Sequence, residues 1–170
     1  MKVLFTSLRL FLYLTFVTGI AYPFFITLIA KGRMKPNLIA QKFEKEIYFW
    51  PRPSAIDYNP LPSGGSNLGP TSRLLNETVE ARNRELAKTH GVPIENVPSE
   101  LVYASGSGLD PHISLAGAYF QMERVAKARG MDQMIIEKLV NSLMEKHPPR
   151  INVLLLNMAL DQLNGKTSNE

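Results

Sequence analysis

A chain of 170 residues, 45% of them apolar and with a formal net charge of +4, has room for one small domain beside an anchor but not for two domains. Its 19 Lys and Arg are interspersed with 15 Asp and Glu, with no basic block and no basic–aromatic interleaving, which argues against a nucleic-acid-binding face. Cysteine is absent, which excludes disulfides, thiolate chemistry and cysteine-ligated zinc on either side of a membrane.

Residues 1–9 read as a short tail carrying Lys2 and Arg9. No charged residue occurs in residues 10–30, and at 1.5 Å rise per residue about 21 residues span about 30 Å, the thickness of a hydrocarbon core. The apolar run continues past Ala21, longer than the hydrophobic region of a cleaved secretory signal, so residues 10–30 are expected to form an uncleaved transmembrane helix. Thr15, Thr18, Gly19 and Pro23 are poor lipid-facing residues, but they allow a second helix to approach closely. Lys31, Arg33, Lys35, Lys42 and Lys45 follow the span, and their count favours a cytoplasmic domain, whereas a long following domain translocates whatever its flanking charge.

After a connector over residues 31–46, a soluble accessory domain is expected over residues 47–164, with a tail at 165–170. Ile47-Tyr48-Phe49-Trp50 is aromatic and β-branched and predicts a strand ended by Pro51. Residues 51–71 are rich in Pro, Gly, Ser and Asn, yet Ile56, Tyr58, Leu61 and Leu68 suit an ordered loop pinned to the domain. Ser72 caps a helix to about Lys88, with Gly91 as its stop. A short strand is predicted over residues 97–104, leading into the turn Ser105-Gly106-Ser107-Gly108. Asp110 or Ser114 then caps a helix through Arg129, with Pro111 tolerated in a first turn and Gly130 at its end. Asp132 caps a third helix carrying Ile135, Ile136, Leu139, Val140 and Leu143, which stops before His147-Pro148. Residues 151–163 read as a last apolar helix. The expected fold class is α+β: one N-terminal transmembrane helix, then a helix-dominated domain with a few short strands.

Familiar catalytic signatures fail on inspection. Gly165-Lys166-Thr167-Ser168 imitates the end of a phosphate-binding loop, but Leu160 occupies the position of the required earlier glycine. Ser107 has Ser105 rather than glycine two places before it, so the run up to His112 is not a nucleophile elbow and reads as a turn followed by a helix cap. The same glycines expose N–H groups suited to an anion, yet the turn holds no Lys or Arg, and Asp110 repels such a ligand. His90, His112 and His147 are too far apart to pair as metal ligands and read as solvated.

Several segments together resemble one family, the C subunit of the bacterial Kdp potassium-transporting ATPase. They are Tyr48-Phe49-Trp50-Pro51-Arg52-Pro53-Ser54-Ala55, Tyr58-Asn59 with Ser63-Gly64-Gly65-Ser66-Asn67-Leu68, and the run from Leu101 through Ser105-Gly106-Ser107-Gly108-Leu109-Asp110 to Ser114. Gln121 with Arg124-Val125-Ala126 and Ala128-Arg129, and the run Ile151-Asn152-Val153 through Asn157 to Asp161, complete the series. The resemblance implies a non-catalytic accessory subunit of an ATP-driven, high-affinity potassium uptake system. Its partners are a P-type ATP-hydrolysing subunit, a potassium-channel-like subunit and membrane lipid. The chain lacks an Asp-Lys-Thr-Gly phosphorylation motif, so no ATP hydrolysis of its own and no catalytic residue are expected.

The family further implies assembly of the complex and a catalytic-chaperone role that raises the ATP affinity of the hydrolysing subunit. No tightly bound cofactor or metal is implied; ATP is shared with the hydrolysing subunit, and Gln121 stands at the glutamine implicated in that role. Read on its own residues, Gln121 is a surface or helix-packing amide. Carried over as interface or structural positions are Arg52, Ser54, Ser63, Gly64, Gly65, Ser66, Asn67, Ser105, Gly106, Ser107, Gly108, Asp110, Arg124, Asn152 and Asn157. Family architecture places the domain on the outer, periplasmic face of the bacterial inner membrane. This chain departs from the pattern in a shorter connector, with Asn37-Leu38-Ile39-Ala40-Gln41 in place of the usual wording, and in a short segment between His147 and Ile151. A membrane-anchored serine hydrolase is the alternative.

Overall fold

Backbone N–H and C=O groups need partners, and the simplest supply is an uninterrupted helix. The computed structural model, which describes residues 1–33 and 38–167, begins with one: α1 (Lys2–Phe16), a π-helical turn (Val17–Ala21) and α2 (Tyr22–Arg33). The helix starts at Lys2 rather than at residue 10, because Val3, Leu4, Phe5 and Leu8 continue the apolar pattern and nothing before Arg9 breaks it. Its Lys2–Ala30 stretch is long and apolar enough to cross a membrane. The π turn answers to Pro23, which has no N–H for the preceding turn. Tyr22 N–H reaches back five residues to Val17 O. Thr18 and Thr27 donate their hydroxyls to Leu14 O and Pro23 O, both at 2.7 Å, so these polar groups are satisfied within the helix.

The chain divides into two compact units, Met1–Pro36 and Asn37–Glu170. In the second, local signals set the helices. Ser72 accepts from Leu75 N–H at the start of α3 (Arg73–His90), and Ser114 accepts from Gly117 N–H at the start of α4 (Leu115–Arg129). Asp132 accepts from Met134 N–H at the start of α5 (Gln133–Leu143). Gly91 and Gly130 end α3 and α4 at φ of 65° and 63°, the left-handed conformation that favours glycine. Asp110 makes a different turn, accepting from His112 N–H at 3.1 Å. Pro111 precedes a strand, and its carbonyl accepts from Val153 N–H at 2.8 Å.

Three short strands, β1 (His112–Ile113), β2 (Glu145–Lys146) and β3 (Pro149–Asn152), form an antiparallel sheet of order β1-β3-β2. His112 pairs with Asn152, and Glu145 with Arg150. The last apolar segment therefore begins as strand and becomes helix at α6 (Val153–Thr167), where Asn152 Oδ1 accepts from Leu155 N–H at 3.1 Å. The tail residues 165–167 continue that helix, and Ser168 lies outside the described residues. The core joins Phe49, Val102, Ile113, Val125, Ile136, Val140, Ile151, Leu156 and Leu160 between α4, α5, α6 and the sheet.

Two predicted strands do not form. Residues 97–104 follow and include short 3-10 turns, Ile94–Asn96 and Ser99–Leu101, each preceded by a proline that donates no ladder hydrogen bond. Ile47-Tyr48-Phe49-Trp50 lies outside any strand, because the groups facing it are side chains of α4 and α6.

Candidate functional site

Every backbone carbonyl from Glu46 to Trp50 accepts a hydrogen bond from a side chain of α4 or α6. Phe49 N–H donates to Asn157 Oδ1 at 2.9 Å, and Asn157 Nδ2 returns a bond to Phe49 O at 2.9 Å. Trp50 N–H donates to Gln121 Oε1 at 2.7 Å, and Gln121 Nε2 donates to Trp50 O at 3.0 Å. Each amide thus exchanges the two bonds that a paired strand residue exchanges. Phe49 is met from α6 and Trp50 from α4. Both amides are fully or almost fully buried, at 0% for Gln121 and 1% for Asn157.

Arg124 completes the clamp one helical turn from Gln121. Its guanidinium donates to Glu46 O, to Tyr48 O at 3.0 Å, to Gln121 Oε1 at 3.0 Å and to His90 Nε2 at 3.1 Å, and it lies 3.9 Å from the Trp50 ring centre. Burial pulls its pKa down to about 10, so it stays charged at neutral pH. Arg129 donates to Ile47 O at 2.6 Å and to Asp161 Oδ1 at 2.8 Å, and Tyr48 OH donates to Asp161 Oδ2 at 3.1 Å. A cleft of about 390 Å³ opens beside this clamp, lined by Phe43, Trp50, Tyr58, Arg82, Glu85 and Gln121 among others.

A second cluster joins two glycine-rich loops. Gly64 N–H donates to Ser107 O at 2.9 Å, and a Cβ on Gly65 would stand 3.0 Å from Gly106 O. Gly108 has φ +68°, and a Cβ there would meet Ile56 Cγ1 at 2.5 Å and Gly64 O at 2.7 Å, so only glycine lets the loops close. Ser105 is buried, with its N–H donating to Pro53 O at 3.0 Å. Ser54 Oγ accepts from Ile56 and Tyr58 N–H at 3.2 and 3.0 Å, and Tyr58 OH donates to Arg52 O at 2.9 Å. Arg52 faces Asp110 at 3.6 Å, while its Nε is shut from solvent without a hydrogen-bond partner among the described residues. Ser63, Ser66, Asn67, Gly106 and Ser107 form the exposed rim.

The structure therefore gathers the candidate residues into two groups: Gln121, Arg124 and Asn157 around residues 46–50, and the glycine loops with Arg52, Ser54 and Asp110. Asn152 stands apart, in β3 at the start of α6. Two histidines are not solvated as expected. His112 lies between Asp110 Oδ1 at 3.1 Å and Glu145 Oε1 at 3.4 Å, and His90 packs between Trp50 and Phe120. Ser107 Oγ accepts from Leu109 N–H, and Ser105 is buried, so the serine–histidine run has the geometry of a turn. The sequence reading named neither Arg82 nor the inward role of Arg129, and took His90 as solvated. The available signal was a polar Gln121, Arg124 and Arg129 set among the buried Ala118, Met122 and Val125 of one helix.

The family described as KdpC: K+-transporting ATPase, c chain, matches residues 4–162, a range that takes in the apolar helix, the clamp and both loops. The chain belongs to the KdpC family. Proteins named "Potassium-transporting ATPase KdpC subunit" from Photorhabdus laumondii, Leptospira interrogans and Geobacter metallireducens are 43%, 43% and 44% identical to it. These comparisons cover 95%, 91% and 96% of this chain and 96%, 91% and 94% of the relatives. The Photorhabdus KdpC comparison runs over 187 positions, more than the 170 residues present here, so that relative carries residues this chain lacks.

Proposed function

We propose that this chain is a non-catalytic accessory subunit of an ATP-driven, high-affinity potassium uptake system. It assembles with a P-type ATP-hydrolysing subunit and a potassium-channel-like subunit in the bacterial inner membrane. The observation that carries this reading is the Lys2–Ala30 helix: apolar, long enough to cross a membrane, and attached to a domain of the KdpC family. Such a helix is a single-pass anchor whose Thr18 and Gly19 give a partner helix a close approach.

The domain lies on the outer face and braces the pump through the glycine-loop rim. It raises the ATP affinity of the hydrolysing subunit by favouring the pump state that binds ATP, a coupling between separate sites that needs no contact with nucleotide. In this reading Gln121 is a positioning residue, holding Trp50 in the bracing domain. The cleft at Trp50, Tyr58, Arg82 and Gln121 favours a second reading, in which the chain contacts ATP directly.

Protease protection separates the two. Added protease is expected to remove the domain in spheroplasts and to spare it in sealed inside-out vesicles; the reverse pattern overturns the outer-face reading. Titration of the full chain in detergent with an ATP analogue is expected to give no saturable binding up to millimolar concentration. Saturation there would favour direct contact.

A further inference from the structure

An 18-residue helix is held to a domain by what it buries, and α3 fully buries only Leu86 and Ala87, both in its last turns, while Val79 packs partly buried against the core and Arg82 donates to Val102 O at 2.9 Å. The same end carries His90, whose two ring nitrogens are both engaged. Nδ1 lies 2.9 Å from Leu86 O, a group that only accepts, so Nδ1 carries the proton. Nε2 lies 3.1 Å from Arg124 Nε, a group that only donates, so Nε2 holds a lone pair. Geometry therefore requires a neutral imidazole. We infer that His90 is an acid-sensitive latch: protonation of Nε2 breaks its bond to Arg124, releases the C-terminal end of α3 and opens the cleft beside Trp50.

The surroundings oppose the charged ring. Arg124 on α4 faces Nε2, while Lys88 on α3 and Lys127 on α4 border the same hollow; the carboxylates there are Glu46, the first residue of the clamped segment, and Glu123 on α4. Phe120 stacks 4.3 Å away and Trp50 meets the ring edge-on at 5.9 Å, contacts that a cation keeps in part. Burial lowers the His90 pKa below its ordinary 6.5, and the charge of Arg124 lowers it further, while the bond to Leu86 O works the other way. A base depressed in the folded state gives a latch that is fully closed above pH 6.5 and weakens as acidification proceeds toward the folded-state value. Arg124 is also the donor to Glu46 O and Tyr48 O, so losing its alignment with His90 reaches the clamp directly.

Trp50 is the only tryptophan of the chain and sits against the His90 ring, which makes it the reporter. The test uses the full chain in detergent between pH 8 and pH 4.5, with imidazole NMR, Trp50 emission and amide exchange of α3 corrected for the intrinsic effect of pH. The expected result is a neutral Nδ1–H tautomer at pH 8, titration of His90 below 6.5, and shifts in Trp50 emission and α3 protection at the same midpoint. Protection of α3 is expected to fall about tenfold for each pH unit by which His90 is depressed. His90→Gln, whose side-chain oxygen accepts from Arg124 without titrating, is expected to abolish that midpoint. An Nε2–H tautomer, a titration at or above 6.5, or an unchanged midpoint in His90→Gln overturns the latch. If His90→Gln fails to fold, the wild-type titration alone decides between these outcomes.

Discussion

Residues 2–30 and residues 46–50 are both rich in aromatic and aliphatic side chains, and both must find partners for a row of backbone polar groups. The N-terminal helix finds them within itself, reaching five residues back at the widened turn before Pro23, and spends its threonine hydroxyls there too. The Glu46–Trp50 carbonyls find theirs on side chains far along the chain, at separations of 71 residues for Trp50 with Gln121 and 108 for Phe49 with Asn157. The first solution leaves an apolar cylinder that needs nothing else from its own chain and suits lipid. The second makes one segment depend on four polar side chains, Gln121, Arg124, Arg129 and Asn157, and a buried acceptor left without its donor is expensive.

The sharpest way to break this contrast is Arg124→Met, which keeps the stem but strips donors from Glu46 O and Tyr48 O. We expect it to lower the stability of the domain by about 3 kcal/mol or more, read from urea unfolding of the full chain through Trp50 emission. Arg124→Lys should rescue little, because one ammonium does not reproduce the planar fork. An unfolding midpoint like that of the parent chain would mean that the clamp is incidental.

Gln121→Leu and Asn157→Leu come next, each expected to remove about 2–3 kcal/mol by orphaning one N–H and one C=O. Gln121→Glu, which keeps the acceptor for Trp50 N–H but loses the donor to Trp50 O, should fall between parent and Gln121→Leu in the same measurement. Gly108→Ala tests the loop pair, where a Cβ meets Ile56 and the Gly64 carbonyl at a left-handed φ; about 1–3 kcal/mol of destabilisation is expected.

The other half of the comparison predicts a variant that does not touch stability. Thr18→Leu with Gly19→Leu should leave domain unfolding unchanged, since both residues belong to the Met1–Pro36 unit and not to the domain. It should weaken co-elution with the other pump subunits in detergent by about tenfold, the scale of an interhelical contact of 1–2 kcal/mol. Unaltered co-elution would show that the anchor does not dock.

Signals contained within a few residues were legible in advance. Ser72, Ser114 and Asp132 cap their helices, Gly91 and Gly130 end theirs, and the apolar run near the N-terminus forms its helix. The aromatic segment at residues 47–50 read as a strand and is not one: its backbone groups are met by side chains of α4 and α6, which leave no alternation in their own sequence to announce them. His90 illustrates the same gap. Nothing near it in the chain announces Arg124 or Trp50, which reach it from other elements of the fold.

By itself the sequence determined the membrane-length helix, the caps, the helix-dominated α+β class and the family, since each depends on composition, short-range spacing or motif order. Only the tertiary structure decided that Gln121, Arg124 and Asn157 serve one backbone segment, that the glycine loops close on each other, and that half-buried His90 stands against a cation. The reason is physical: helix propensity and capping act within a turn or two of chain, whereas the partner of a buried polar group is whichever donor or acceptor the packed core brings within about 3 Å.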